Sequence, residues 1–216
     1  YLSYAVTADE IRKGLQHCKT PHELVYVQVS STPGKPAHFV AVKRDQSPND
    51  SSLEVMICVR GTQTPADAIT DLICDTVDYR GGKAHRMIQE SGRYIAEKQK
   101  GLLEELCKEA GKKNCKVTLI GHSLGAGAAS IAGMELKEIG SDKILVKEVI
   151  GFGCPALLSK ELAEKATYIT TVVNDSDCIP RMSGVSAANL MIDVMMFDWL
   201  DYAKSDIRLT LQELQK

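Results

Sequence analysis

A serine flanked by two glycines forms the arrangement in this sequence most suited to chemistry. Gly121 to Gly125 read Gly-His-Ser-Leu-Gly, which matches the G-x-S-x-G pattern of a nucleophile on a sharp strand-to-helix turn. An apolar strand, Lys116 to Ile120, precedes the motif, and a helix rich in small residues, from about Leu124 to Ile139, follows it. We therefore predict Ser123 as a nucleophile for acyl transfer and the Leu124 N–H as a donor to the acyl oxyanion. A turn rich in glycine and serine without catalysis is the alternative.

A second oxyanion donor is expected where another strand ends. Leu53 to Val59 form an extended apolar run and are followed by Arg60, Gly61 and Thr62. Gly61 permits a tight turn, and Thr62 offers both a backbone N–H and a hydroxyl. Taken alone, this run fits an ordinary strand-ending turn better.

Three separated motifs, taken together, resemble one known family. They are Val59 to Thr62 with Pro65 to Leu72, then Gly121 to Gly127, then Val173 to Arg181. In this order they resemble the class-three lipases of the α/β-hydrolase fold, and within that family the sn-1-specific diacylglycerol lipases. The resemblance extends from Val59 to Met182. It implies Ser123 as nucleophile, Thr62 and the Leu124 N–H as the oxyanion hole, and Asp177 in an Asp-x-Ile-Pro motif as the triad carboxylate.

Two aspartates compete for the role of triad acid. Asp177 follows the predicted strand Tyr168 to Val173, where a loop can aim a carboxylate at a catalytic histidine. Asp175 is the rival, and its alternative role is a turn residue that caps its own backbone. The alternative for Asp177 is a solvated turn acid beside Pro180. We favour Asp177.

The base of the triad is missing from its expected place. In α/β-hydrolases the chain order is serine, acid, histidine, but no histidine follows Asp177. His122 adjoins the nucleophile, but the turn is expected to point its side chain away from Ser123 Oγ. His85 is expected to serve helix packing, and the other three histidines, His17, His22 and His38, to be surface or satisfied side chains. Two hypotheses stay open. Either the chain is a piece of a longer protein whose catalytic histidine lies beyond these residues, which we favour, or the protein has lost its base.

The elements around these residues predict one α/β domain. The predicted strands are Leu24–Val29, His38–Val42, Leu53–Val59, Lys116–Ile120, Ile144–Phe152 and Tyr168–Val173. The predicted helices span about 85–110, 124–139 and 159–166. Alternation of strand and helix in the second half predicts a parallel α/β sheet with helices on its faces. The family resemblance implies the α/β-hydrolase fold, with a mostly parallel central sheet and helices on both faces. We expect residues 1–216 to form a single catalytic domain that lacks its C-terminal segment with the catalytic histidine.

Two further segments each allow two interpretations. Ala66 to Val77 is predicted as a short amphipathic helix, either a lid over the site or a packed surface helix. Leu190 to Leu200 is strongly apolar and contains the only Trp of the chain. Core packing is the favoured role of this segment, and an acyl-chain groove or a membrane-contact surface is the alternative.

Composition argues against several classes of partner. Lys and Arg number 26 and Asp and Glu 28, a net charge of -2, which gives no reason to expect nucleic acid. We find no apolar run of the ~18 residues that a membrane-spanning helix needs, and no secretory signal pattern. The seven cysteines show no spacing typical of metal sites, so we expect no metal and no other cofactor. The expected location is cytoplasmic, or membrane-associated on the cytoplasmic side, and secretion stays open.

These observations together predict a serine carboxylic-ester hydrolase, a lipase that acts on glycerolipids with diacylglycerol favoured. Its expected partners are the lipid substrate and a peripheral membrane or lipid-droplet surface. A phospholipase or other carboxylesterase is the alternative enzyme. A catalytically inactive, lipase-like module that binds or senses lipid is the alternative from another class.

Overall fold

The computed structural model describes residue 5 and residues 7–44, 46–47, 49–61, 76–181, 184–199, 202 and 204. The chain divides into two compact units, Tyr1–Met182 and Ser183–Lys216. The strands described in the first unit are β1 (His22–Gln28), β2 (His38–Lys43), β3 (Ser52–Val59), β4 (Thr76–Tyr79), β5 (Gly82–His85), β6 (Asn114–His122), β7 (Ile144–Phe152) and β8 (Ile169–Val172). Its helices are α1 (Ala8–Gln16), α2 (Arg86–Glu109), α3 (Leu124–Ile139) and α4 (Lys160–Lys165), and α5 (Gly184–Met196) lies in the second unit.

A six-stranded sheet forms the centre of the first unit, in the order β1-β2-β3-β6-β7-β8. β1, β2 and β3 pair antiparallel, whereas β3, β6, β7 and β8 pair parallel. Parallel strands end at the same edge of a sheet, so the residues that follow β3, β6, β7 and β8 are brought to one edge. That edge carries Gly61, Ser123, Gly153 and the loop with Asp177.

Helices cover both faces of this sheet. Because successive side chains of a strand point to opposite faces, β2 contributes to two cores. Phe39 and Ala41 pack with Ile11 and Leu15 of α1. Val40 instead belongs to the core shared with α2 and α3. The predicted α/β architecture, mostly parallel with helices on both faces, is confirmed.

Small residues let α2 and α3 approach each other closely. A Cβ added to Gly92 of α2 would lie 2.6 Å from Ile131 Cγ2 and 2.8 Å from Ala128 O of α3. On its other side α3 packs on the sheet, where a Cβ on Gly133 would lie 2.7 Å from Val149 Cγ2. The small residues predicted to pack α3 against the sheet therefore serve contacts on two sides.

The first helix was not predicted from the sequence, although a signal for it was present. The Glu10 N–H donates to Thr7 Oγ1 at 3.2 Å, and the Thr7 N–H donates to Glu10 Oε2 at 3.3 Å. This reciprocal capping box begins α1. Its Thr-x-x-Glu spacing at the start of an apolar periodicity is the pattern that could have revealed the helix.

A β-hairpin occupies residues that were partly assigned to a helix. The helix predicted over 66–77 falls mainly on 62–75, which lie outside the described residues, but its last two positions lie in β4. Arg80 and Gly81 have φ values of 49° and 79°, which suits a two-residue turn of the primed type between β4 and β5. Arg80 and Gly81 therefore form the turn of a hairpin.

The second unit is described mainly by α5 and the residues just after it. Its large apolar side chains are exposed, from 43% at Phe197 to 81% at Met196. The core packing favoured for this segment is therefore not what the structure shows. Ser186, Asn189 and Asp193 form only a narrow polar stripe on α5, which is why the sequence pattern suggested burial. Within the described part of the chain, we find no helix of the length and apolarity needed to cross a bilayer.

Candidate active site

Ser123 lies in a strained backbone conformation between β6 and α3. Its φ of 54° and ψ of -129° are unusual for a residue with a Cβ. Its N–H donates to Phe152 O of β7, and its carbonyl accepts from the Ala126 N–H, both at 2.9 Å. The side chain is 9% exposed. The structure therefore places Ser123 on the predicted strand–turn–helix, with its backbone tied on both sides.

Both motif glycines are required by close approach of the backbone. A Cβ on Gly125 would lie 2.6 Å from the carbonyl carbon and oxygen of Arg60 and from Val59 O. A Cβ on Gly121 would lie 2.5 Å from the carbonyl carbon of Gly125 and 2.6 Å from Ala126 N. The turn thus folds back on its own helix and presses against the end of β3.

The two predicted oxyanion donors differ in how far the structure describes them. Leu124 is the first residue of α3, so its N–H has no acceptor within the helix, and it follows Ser123 directly. Thr62 lies outside the described residues. Its neighbour Gly61 reaches the turn, since a Cβ there would lie 2.5 Å from His122 O and 3.3 Å from Ser123 Cβ. The chain after β3 is therefore adjacent to the nucleophile turn.

Asp177 lies on a structured loop after β8. Its Oδ1 accepts the Ile179 N–H at 3.0 Å, and its own N–H donates to Asn174 O at 2.9 Å. Arg181 donates from Nη1 to Asp177 O and from Nη2 to Asp175 O, the latter at 3.0 Å. Asp175 has a φ of 41° and is exposed, as suits a turn residue. The loop thus directs the Asp177 carboxylate and fixes its backbone.

A glycine next to β7 brings Asp177 together with a histidine. A Cβ on Gly153 would lie 2.8 Å from Asp177 Oδ2 and 4.0 Å from His122 Nε2. Burial lowers the pKa of His122, while the Asp177 carboxylate acts in the opposite direction. Sequence reasoning did not single out Gly153. The available signal was a glycine directly after a strand that ends at the same sheet edge as the nucleophile.

The other histidines have roles within the fold. His17 and His22 are exposed, and their Nδ1 atoms lie within hydrogen-bond distance of local carbonyls. His38 is buried between Pro36 O and the Gln99 amide. His85 is the residue before α2, and its N–H donates to Leu157 O at 2.9 Å. The surface or satisfied positions predicted for His17, His22 and His38 are confirmed, and helix packing by His85 stays a prediction.

The buried thiols of Cys58, Cys115 and Cys154 serve packing rather than reaction. Burial raises the pKa of Cys58, Cys115 and Cys154 to about 12, so these thiols stay protonated at neutral pH. Cys74 lies outside the described residues. Within the part of the chain that the structure covers, no three His, Cys, Asp or Glu side chains come together as a metal site.

Sequence comparisons place this geometry in a known family. The family model described as Lipase (class 3) matches residues 56–187. Mouse (Mus musculus) diacylglycerol lipase-beta is 30% identical over 146 residues, 63% of this chain and 21% of the relative. Human (Homo sapiens) diacylglycerol lipase-alpha is 28% identical over 184 residues, 79% of this chain and 17% of the relative. A chloroplastic phospholipase A(1) of Arabidopsis thaliana is 32% identical over 91 residues, 40% of this chain and 20% of the relative. The chain thus spans about a fifth of the length of these curated relatives.

Solved structures agree on the fold. The triacylglyceride lipase of Rhizomucor miehei superposes with a TM-score of 0.62 at 19% identity, covering 84% of this chain and 71% of that one. A lipase of Rhizopus microsporus var. chinensis gives a TM-score of 0.59 at 19% identity, covering 82% and 60%. These similarities show the α/β-hydrolase fold, and with the match over residues 56–187 they lead to one conclusion: the chain belongs to the class 3 lipase family.

Proposed function

We propose that this chain carries the nucleophile and the acid of a serine hydrolase that cleaves ester bonds of glycerolipids, with diacylglycerol as the favoured substrate. The observation that carries the proposal is the strained Ser123 between β6 and the N-terminus of α3, in a chain of the class 3 lipase family. Membership of that family and the diacylglycerol lipases among the relatives support the choice of substrate class.

Ser123 Oγ attacks the ester carbonyl in this mechanism. The negative charge that develops on the carbonyl oxygen is stabilised by the Leu124 N–H and by Thr62, with the N-terminal end of α3 adding a favourable dipole. The alcohol, a glycerolipid with one acyl chain fewer, leaves after protonation. Water then hydrolyses the acyl-enzyme on Ser123 and releases the fatty acid.

A histidine must take the Oγ proton, because a serine without a base is a poor nucleophile. We propose that Asp177 orients this histidine and stabilises its protonated form. Because no histidine follows Asp177 in these 216 residues, we assign the base to a C-terminal segment beyond them. The match covers only 21% of diacylglycerol lipase-beta and 17% of diacylglycerol lipase-alpha, and the greater length of these relatives supports that assignment.

The substrate is expected to be reached at a lipid surface, since long-chain glycerolipids do not dissolve as monomers in water. Exposed apolar and aromatic side chains of the second unit, with Phe197, Trp199 and Tyr202 in ring contact, support peripheral binding to a membrane or a lipid droplet. We propose the cytoplasmic side for that surface, with secretion as the alternative.

Covalent labelling of Ser123 in the full-length protein tests the proposed activity. A fluorophosphonate probe should label the wild-type protein and should fail to label Ser123→Ala. Ser130→Ala is a matched control, because this buried serine lies on the same helix and donates to Ala126 O at 2.9 Å, within α3. Labelling of Ser130→Ala should therefore equal that of the wild type. A folded wild-type protein that resists the probe would show the inactive lipid-binding module instead.

A substrate panel separates the enzyme alternatives. Release of fatty acid should be fastest from diacylglycerol, slower from triacylglycerol and slowest from phosphatidylcholine. The phospholipase A(1) among the relatives is the specific reason to include the phospholipid. Phosphatidylcholine hydrolysed faster than diacylglycerol would assign the protein to the phospholipases.

A further inference from the structure

The side chains of Asp177 and His122 both lie close to Gly153, the residue that follows β7. Gly153 is buried and has a φ of 58°. The position that a Cβ would occupy there lies 2.8 Å from Asp177 Oδ2 and 4.0 Å from His122 Nε2. Only glycine leaves this space open, since any side chain would collide with the carboxylate. The Asp177 carboxylate and the His122 imidazole therefore both lie near Gly153, at the edge of the sheet that carries Ser123.

One oxygen of the Asp177 carboxylate is already fixed by the backbone. Oδ1 accepts the Ile179 N–H at 3.0 Å, and the 177 N–H is tied to Asn174 O at 2.9 Å. A carboxylate held at one oxygen can still pivot, so its final direction depends on what faces the second oxygen. That oxygen, Oδ2, lies 2.8 Å from the position of a Cβ on Gly153, and His122 Nε2 lies 4.0 Å from the same position.

His122 is well placed to restrain the pivot, because its backbone belongs to a strand. It is the last residue of β6 and pairs with Phe152 of β7, directly before Gly153. Its carbonyl lies against Gly61, and the next residue in the chain is Ser123. The backbone of His122 is therefore fixed by strand pairing, whereas Asp177 lies on a loop after β8.

We propose that His122 is a positioning residue for the triad acid, with its imidazole over Gly153 keeping Asp177 Oδ2 directed toward the reacting serine's side of the sheet. This inference rests on the proposed function, because it takes Asp177 as the triad carboxylate. The influence of the Asp177 carboxylate on the pKa of His122 supports the closeness of the two groups. The end of β6 thus fixes both the nucleophile and the direction of the acid.

Steady-state kinetics on diacylglycerol in the full-length protein test the role of His122. His122→Ala should lower kcat by about 10- to 100-fold and leave KM nearly unchanged, since a misdirected carboxylate weakens transition-state stabilisation without touching the substrate. His122→Gln retains an N–H donor and should recover most of the loss. A merely structural role would lower the folded fraction and would not separate kcat from KM.

A pair of glycine variants tests the space between Gly153 and Asp177 without changing His122. Gly153→Ala should lower kcat in the same way, because its Cβ displaces Asp177. Gly111→Ala is the matched control, since Gly111 also has a positive φ, 62°, but a Cβ there meets nothing within 4 Å. Both variants carry the same kind of backbone strain, so only Gly153→Ala should lose activity beyond its change in stability.

The possible outcomes are distinct. A folded His122→Ala protein with unchanged kcat, or a Gly153→Ala protein no worse than Gly111→Ala, would overturn the inference. His122→Ala could instead lose probe labelling as completely as Ser123→Ala, with no recovery in His122→Gln. That result would overturn the positioning role, because it would identify His122 as the base itself. Wild-type labelling, measured first, separates these results from failure of the proposed function. A wild-type protein that resists the probe would overturn both.

Discussion

Gly125, two residues after the proposed nucleophile, lies directly against the backbone of Arg60, so that a Cβ on Gly125 would lie 2.6 Å from the Arg60 carbonyl carbon and oxygen. Arg60 itself is tied to the residue that precedes β2, because its N–H donates to Ala37 O at 2.9 Å. The glycine therefore sets the distance between the nucleophile turn and the segment that leads to Thr62. In this chain the nucleophile turn and the end of β3 are held together by a contact that only glycine permits.

Gly125→Ala should impair both folding and catalysis. The added methyl group must push the end of β3 away from the turn, which is overpacking of a close backbone contact and typically costs about 1–3 kcal/mol. The displaced Gly61 segment should also lower kcat on diacylglycerol. Chemical denaturation and steady-state kinetics measure the two effects.

Gly101→Ala is the matched control for this change. Gly101 lies within α2, and a Cβ there meets nothing within 4 Å. Because glycine is a poor helix former, alanine at this position should raise the free energy of unfolding by about 0.5–1 kcal/mol and leave kcat unchanged. Equal behaviour of the two variants would contradict the contact with Arg60.

Tyr79→Phe should destabilise the β4–β5 hairpin. The buried Tyr79 hydroxyl donates to Glu135 Oε1 of α3 at 2.7 Å, and burial raises the pKa of Tyr79, so the hydroxyl stays protonated. Removal of the donor leaves the buried carboxylate with one partner fewer, which costs about 1–3 kcal/mol of the free energy of unfolding. Urea unfolding measures this loss.

The control for Tyr79 is its sequence neighbour in the same hairpin. Asp78 forms an ion pair with Lys83 at 2.5 Å, and both side chains are exposed. Exposed ion pairs contribute little, so Asp78→Asn should leave the unfolding midpoint unchanged within error. A Tyr79→Phe protein as stable as Asp78→Asn would mean that the Glu135 carboxylate is satisfied without the hydroxyl.

His38 should make the stability of the first unit depend on pH. Its Nδ1–H donates to Pro36 O and its Nε2 accepts from the Gln99 amide, both at 2.8 Å, so the ring is held in its neutral form. Burial lowers its pKa below the usual 6.5, although the Pro36 bond opposes this, and nearby Lys98 acts in the same direction as burial. The unfolded chain therefore takes up a proton at a higher pH than the folded one.

The sign of the effect follows from proton uptake. Above pH 6.5 the ring is neutral in both states and contributes no pH dependence. As the pH falls below 6.5, the unfolded state is protonated first and the free energy of unfolding decreases, by at most about 1.4 kcal/mol per pH unit for one group, until the folded-state pKa is passed. Urea unfolding of wild type and His38→Gln between about pH 5 and 8 measures this. An equally steep fall in the variant would assign the effect to other groups.

The sequence predicts the local parts of this molecule well. The bounds of α3 and β7 were predicted to the residue, because an apolar run and a small-residue run each begin and end sharply. The strand–turn–helix around Ser123 is likewise a local property of five residues. α1 and the β4–β5 hairpin were missed, since both are short and their apolar residues fit more than one period.

The arrangement of Asp177 and His122 beside Gly153 depends on contacts between segments that are distant in the sequence. Whether Asp177 reaches the neighbourhood of His122 is set by the parallel register of β6, β7 and β8, in which Phe152 pairs with both His122 and Val172. A single sequence predicts that these strands exist, but it contains no measure of their order or register. The convergence of a carboxylate, an imidazole and a bare Cα can therefore be seen only in the folded chain.

Trp199 should report on binding to a lipid surface. It is the only Trp of the chain, is 58% exposed, and contacts the ring of Phe197 with centroids 4.7 Å apart. Its indole N–H already donates to Val194 O at 2.9 Å, so the ring can enter an apolar phase without breaking a bond to water. Adding phosphatidylcholine vesicles should shift its emission to shorter wavelength, and lipids brominated on the acyl chains should quench it.

The charge of residues 184–199 indicates which lipid surface they should bind. Residues 184–199 contain two aspartates and no Lys or Arg, so binding should not strengthen when anionic lipid is added and should persist at high salt. Replacing both Met195 and Met196, the most exposed apolar residues of α5, with Ser removes apolar contact area and should weaken partitioning at least about tenfold. Leu145→Ser, at a 41% exposed position on β7, is the control that should leave partitioning unchanged. Trp199 emission that ignores neutral vesicles but responds to anionic ones would contradict an apolar contact, because only electrostatic attraction discriminates between the two.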